Sequence, residues 1–257
     1  MNIAEDLSLS AKGTDMAGTM SAQPHTSDDI GTNVRGRRRQ AERREETSSA
    51  ILDAAEDLFA HHGRDGVTVR AIGKASGVDA ALVHYYFGDK DGVFRAIWAR
   101  RAAVLNPIRE AAMDRYERDH DGAFTIEGVL DTFLRPIFET VFDNGEPWSH
   151  FAAIAGATNA SKFGGADLMD EHFDPIVLRF IGMLRRVSPV TPDADLFWYM
   201  HLLSGALTQS LAQTGRIDTL SGGLCRSSDM GSILDMMIAV FSKGFEAVVN
   251  QGSTDCA

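Results

Sequence analysis

The chain has 257 residues, 44% of them hydrophobic and 24% charged, with a formal net charge of −11. That length and apolar share support a substantial buried core in one or two domains. Its two cysteines, Cys225 and Cys256, stand far from any Cys-x-x-Cys spacing, which excludes a disulfide framework and a cysteine zinc site and points to a reducing, cytoplasmic setting.

The opening MNIAEDLSLSAKG lacks a basic n-region and an unbroken apolar stretch, so no secretory signal is expected. Residues 1–40 are expected to be a disordered tail, the first 34 rich in Ser, Thr, Gly, Asp and Met with neither helical nor strand period. Within it begins a basic run, Arg35, Arg37, Arg38, Arg39, Arg43 and Arg44. Placed just ahead of a helical region, the run reads as an arm or helix start lying on phosphates; a solvated basic stretch is the simpler alternative. Residues 35–101 carry 13 Lys and Arg against 10 acids, whereas residues 102–257 carry 11 against 21. An acidic protein with one basic segment can still present that segment to a polyanion.

From Thr47 onward the pattern is helical almost to the end. Ile51, Leu52, Ala55, Leu58 and Phe59 share one helix face, and Gly63 is placed as a C-terminal cap. Thr68 can cap a short helix over 69–76 that buries Ile72 and Ala75, and Gly77 ends it. Asp79 can cap a third helix over 80–87. Two short helices joined through a glycine form a helix-turn-helix pattern. A fourth helix is predicted from about Asp91 past Ala102, with a break or kink at Asn106-Pro107. Further helices are predicted at about 108–119, 126–142, 148–161, 168–187, 193–214 and 230–250, separated by turn-forming segments such as Asp143-Asn144-Gly145 and Ser221-Gly222-Gly223. The stretch Leu196 to Gly215 contains no charged residue, but His201, Ser204, Thr208, Gln209, Ser210 and Gln213 favour a buried interface helix over a membrane span.

The stretch Thr68-Val69-Arg70-Ala71-Ile72-Gly73-Lys74-Ala75-Ser76-Gly77-Val78-Asp79, continued by Ala80-Ala81-Leu82-Val83-His84-Tyr85-Tyr86-Phe87-Gly88-Asp89-Lys90, resembles the DNA-binding domain of the TetR family of regulators over about residues 45–95. The resemblance implies an all-α fold: an N-terminal three-helix helix-turn-helix DNA-binding domain over 41–92 and a helical effector-binding and dimerisation domain over 93–252. It implies that Arg70, Ala80, Ala81, Leu82, His84, Tyr85 and Lys90 face double-stranded DNA, with Thr68 and Arg44 as further phosphate contacts. Many family members have Tyr where this chain has His84, and Val69 lacks a hydroxyl. The residue types suit that role independently. Ala80 and Ala81 let a helix backbone approach base edges, and Leu82 can touch a thymine methyl. His84, Tyr85 and Tyr86 offer polar tips, but three consecutive residues cannot share one helix face, so at least one is structural. Phe87, with Tyr86 in part, is expected to pack against the first helix. Lys90, near a helix start, is expected to meet a phosphate.

One helix-turn-helix covers little DNA, so a homodimer reading an operator of two half-sites is expected. Helix 193–214, with Leu196, Phe197, Met200, Leu203, Leu207 and Leu211, and helix 230–250, with Ile233, Met237, Val240, Phe241, Phe245 and Val248, resemble the paired dimer helices of that family. Phe133, Trp148, Phe151, Ile154, Phe180 and Met183 are candidate lining residues for a small apolar or amphipathic effector, fatty-acyl or aromatic. The stretch Arg100 to Pro107 resembles a branch of the family with fatty-acyl-sensing members. Repression is the family's commoner habit. No catalytic residue, metal or cofactor is expected. GxSxG, P-loop, GxGxxG and HExxH motifs are absent, and His61-His62-Gly63-Arg64-Asp65-Gly66 falls one residue short of the HHxxxDG pattern of acyl transfer. His150, His172 and His201 have no metal-binding spacing. A helical protein-interaction adaptor without specific DNA binding is the alternative that the acidic total leaves open.

Overall fold

A computed structural model describes the backbone of residues 28–159, 168 and 171–252. The regular elements among these described residues are all α-helices. In chain order they are α1 (Asp28–Gly66), α2 (Val69–Ser76), α3 (Ala80–Phe87), α4 (Lys90–His120), α5 (Ile126–Asp143), α6 (Glu146–Asn159), α7 (Asp174–Val187), α8 (Asp193–Leu211), α9 (Arg216–Leu220) and α10 (Met230–Gly252). The chain divides into two units, Met1–Arg44 and Glu45–Ala257.

In the first unit the backbone is helical from Asp28, where composition suggests a disordered tail up to residue 40. Arg, Gln, Ala and Glu dominate from residue 37 and are good helix formers. Arg38 Nε also lies 3.1 Å from the Glu42 carboxylate one turn on, a spacing that adds a few tenths of a kcal/mol. The part of the tail before Asp28 lies outside the described residues.

In the second unit α1 buries Ile51, Leu52, Ala55 and Phe59 and is broken at Gly63, where φ is 68°. The Thr68 hydroxyl accepts the Ala71 N–H and caps α2; the Asp79 carboxylate accepts the Ala81 N–H and caps α3. Gly77 closes α2 with φ 74°, a conformation that costs a side-chain-bearing residue about 1–2 kcal/mol. Within α2, Ile72 and Gly73 are buried, while Ala75, expected inside, is exposed.

Helix α4 is continuous for 31 residues, with Pro107 inside it, where a break or kink was expected. Proline removes one ladder hydrogen bond. Leu105, Arg109 and Met113 are buried along one face across that point, and the Asn106 side-chain amide donates to the His172 carbonyl at 2.6 Å. Tertiary packing therefore carries the helix through.

Helix α5 is the hub of the larger bundle and packs against α4, α6, α7 and α10, while α8 packs on α6, α7 and α10. The helix expected over 168–187 is represented by α7 from Asp174, with Pro175 in its first turn and Phe173 outside it. The helix expected over 193–214 ends at Leu211, and the short α9 follows. On α8, Leu196, Met200, Leu203, Leu207 and Leu211 are buried within the chain, a correction to their expected place on an external face. The outward apolar side chains are Phe197, Trp198 and Leu202, with Met236 and Val240 on α10. Tyr199 ties the two helices together, its hydroxyl donating to the Phe241 carbonyl at 2.8 Å. No helix among the described residues is long and apolar enough to cross a membrane.

Candidate nucleic-acid interface and effector cavity

Val83 faces inward and anchors α3, leaving Ala81, His84 and Tyr85 exposed; Tyr85 has 69% of its surface in solvent. Ala80 and Leu82 are half-buried at the turn, as are Tyr86 and Phe87, which pack against the core. Of the three consecutive polar rings, Tyr86 is therefore the structural one. The approach of α2 to α3 depends on Gly73, where an added Cβ would lie 2.9 Å from the Val78 carbonyl oxygen and 3.2 Å from the Ala80 nitrogen.

The exposed face of α2 carries Arg70 and, one turn later, Lys74. Neither has an ion-pair partner among the described residues. Lys74 was missed in the sequence reading, although its i,i+4 spacing from Arg70 already put both on one face. Thr68 is exposed, but its hydroxyl is engaged as a cap. The His84 Nδ1 faces the Gly88 carbonyl. The carbonyl can only accept, so Nδ1 carries the hydrogen and Nε2 is left outward. Lys90 is half-buried, and its ammonium donates to the Arg64 carbonyl at 2.8 Å, so its lysine head closes the end of α1. Arg44 is exposed on α1, at the end of the first unit.

The larger bundle holds a partly open, largely apolar cavity of about 100 Å³, and Phe133, Trp148 and Phe151 line it. The other three expected lining residues do not. Phe180 and Met183 are core residues, 0% and 1% exposed, and Ile154 instead borders a crevice with Phe59 and Phe94. Aromatic and aliphatic side chains at helical spacing look alike in sequence whether they face a void or a neighbour. Trp98, Leu105 and Arg109 of α4 also line the cavity, and none of the three is among the lining residues expected from sequence.

Helix α4 thus joins the two sites. Its first turn is held to α1 by Lys90 and by Arg64, 2.8 Å from Asp91. Farther along, Arg100 bridges Asp53 and Glu56, and Arg101 makes a two-pronged contact with the buried Glu56 at 2.8 Å. Arg101 also donates to the Pro147 carbonyl and lies over the Trp148 ring, which carries the contact into α6 beside the cavity. Asp57, His61 and His150 place one donor atom each within 4.8 Å of one another. These are ligand types a divalent ion could use, though pairing with Asp57 accounts for both imidazoles without one.

A tri-helical head with a capped helix-turn-helix, fused through a long helix to a larger helical bundle, defines the class of one-chain helix-turn-helix regulators. Residues 51–97 match the profile of bacterial regulatory proteins of the tetR family, and residues 131–244 match the tetracyclin repressor-like C-terminal domain. The chain belongs to the TetR family. It is 36% identical over 101 residues to the HTH-type transcriptional repressor Rv3405c of Mycobacterium tuberculosis, a match covering 38% of this chain and 54% of that one. It is 40% identical over 58 residues to the HTH-type transcriptional repressor AcnR of Corynebacterium glutamicum, covering 23% and 31%. The chain thus spans about half the length of the first of these curated relatives or less. In fold it is similar to a TetR-like transcriptional regulator from Rhodococcus sp. RHA1, with a TM-score of 0.57 at 16% identity over 78% of this chain and 96% of that one. It is also similar to HlyIIR, a hemolysin II transcriptional regulator, with a TM-score of 0.53 at 15% identity over 75% and 97%.

Proposed function

We propose that this chain is a DNA-binding transcriptional repressor that reads a palindromic operator as a homodimer and is released by a small effector bound in the apolar cavity. The observation that carries the reading is the exposed face of the helix-turn-helix. Ala81, His84 and Tyr85 on α3 and the unneutralised Arg70 and Lys74 on α2 are all exposed, which combines groove-sized side chains with cations for phosphate. The named regulators and repressors among its relatives support the same reading. Two copies are supported by the outward apolar strip on α8 and α10, since a soluble monomer has little reason to expose Trp198, Leu202, Met236 and Val240 together. Release follows from differential binding: an effector that prefers one setting of α4 shifts the population of reading heads toward that setting.

Sequencing of DNA fragments selected by the purified protein tests the core of this reading. A two-fold symmetric site should be enriched, and Tyr85→Ala should weaken binding to it by about 1–3 kcal/mol without a change in thermal stability. No enriched sequence at low salt would favour the adaptor alternative and end the repressor reading.

A further inference from the structure

Arg109 projects from α4 into the interior and is only 4% exposed. Its Nε donates to the Phe133 carbonyl at 3.3 Å, and its guanidinium lies 4.2 Å from the centre of the Phe133 ring. The other inward-leaning arginines meet acids: Arg101 meets Glu56, Arg100 meets Asp53 and Glu56, and Arg179 meets Asp114 and Glu117. Arg109 has no carboxylate partner among the described residues. Its guanidinium offers five N–H donors, of which only the one on Nε finds an oxygen there. Burial pulls its pKa down to about 9, so it still carries its charge at neutral pH. A buried, charged and unpaired group is costly and rare.

A second donor in the same cavity also lacks an acceptor. Trp98 lines the cavity beside Arg109, is 1% exposed, and its Nε1–H is buried without a hydrogen-bond partner. The unpartnered Trp98 N–H and the Arg109 guanidinium, which no carboxylate among the described residues meets, thus border a space walled largely by Leu105, Phe133, Ile137, Trp148 and Phe151, with Asn159, Ser204 and Thr208 also on its lining. That pattern is complementary to an anion on an apolar body.

We propose that the cavity binds a compact apolar monocarboxylate, with its carboxylate on the Arg109 guanidinium and its body among the rings of Phe133, Trp148 and Phe151. This assignment rests on the reading of the cavity as the effector site. A carboxylate presents two oxygens in one plane, the arrangement a guanidinium fork matches with paired hydrogen bonds. A phosphate dianion would bring a second charge, and Arg109 is the only cation on the lining among the described residues. The volume sets the body. An empty cavity of about 150 Å³ accommodates benzene, so about 100 Å³ suits a short chain as it stands, and a ring or a long acyl chain would require the walls to yield. Since Arg109 and Trp98 sit on the helix that begins at the reading head, neutralising Arg109 acts directly on α4.

Titration of the full-length protein with benzoate and hexanoate, and with benzyl alcohol and hexanol as uncharged counterparts, tests the proposal in the absence of DNA. Trp98 and Trp148 line the cavity, so intrinsic fluorescence reports occupancy, with calorimetry for stoichiometry. The expected result is saturable binding of at least one acid at one per chain, with each alcohol about ten-fold weaker or more. Arg109→Met should abolish that preference while leaving alcohol binding unchanged, and the ligand-free variant should melt no lower than the parent, because it loses an unpaired buried charge. If Arg109→Met fails to fold, Arg109→Lys keeps the charge but not the fork and should lower acid affinity alone. Equal binding of acids and alcohols, unchanged acid binding by the folded variant, or saturation by none of the four probes would overturn the proposal. A protein that binds acids but selects no operator would keep this assignment and lose the repressor reading; the reverse result would do the opposite.

Discussion

Glu56 shows how a single side chain holds the helix-turn-helix head to the long helix α4. It is 2% exposed and receives both Arg100 and Arg101 from α4. Removing one partner of a buried cluster leaves the others desolvated and uncompensated. Glu56→Gln should therefore lower stability by about 3 kcal/mol, read as a shifted urea midpoint; an unchanged midpoint would show that the two arginines relax into solvent. Arg109 is the converse case, a buried cation with no carboxylate partner among the described residues. Arginine composition alone could not separate them, because Arg100, Arg101 and Arg109 lie within ten residues on one helix and differ only in what faces them.

At the scale of the element, α2 and α3 work as a pair because they approach closely. Gly73 permits that approach, with the Val78 carbonyl and Ala80 backbone directly above its hydrogen atoms. Gly73→Ala should cost about 1–3 kcal/mol by overpacking and should weaken DNA binding more than a surface change of equal stability cost, because it tilts α3. Thermal melting together with a gel shift checks this, and a variant with parental melting and parental DNA affinity would contradict it. Helix α4 teaches a different lesson. Local rules place a stop at Pro107, yet Leu105, Arg109 and Met113 bury across it, and the lost ladder bond is small beside that packing.

For the whole molecule, the open matter is the outer face of α8 and α10. Phe197, Trp198 and Leu202 are each more than half exposed, as are Met236 and Val240. A second copy is the occupant that the two-half-site reading requires. Trp198→Glu should convert a dimer to a monomer in light scattering with helical content unchanged, and should lower operator affinity steeply through the loss of the second half-site. A parent protein that already scatters as a monomer at micromolar concentration would refute the symmetric model of recognition.

The helix-turn-helix and most helix positions were legible in the sequence because they rest on local chemistry. Thr68 and Asp79 cap, Gly63 and Gly77 adopt left-handed backbone, and Ile51, Leu52, Ala55 and Phe59 recur on one face, all within a few residues of each other. Which face of an all-round apolar helix turns inward was not legible: α8 carries Leu196, Met200 and Leu203 on one side and Phe197, Trp198 and Leu202 on the other, and only its neighbours choose. The same holds for the cavity, where Phe133 and Phe180 stack in contact yet only Phe133 borders the void. Pairings such as Glu56 with Arg101, Lys90 with the Arg64 carbonyl, and Arg109 with the Phe133 carbonyl depend on helices meeting across stretches of chain, and such meetings are decided by packing rather than by spacing.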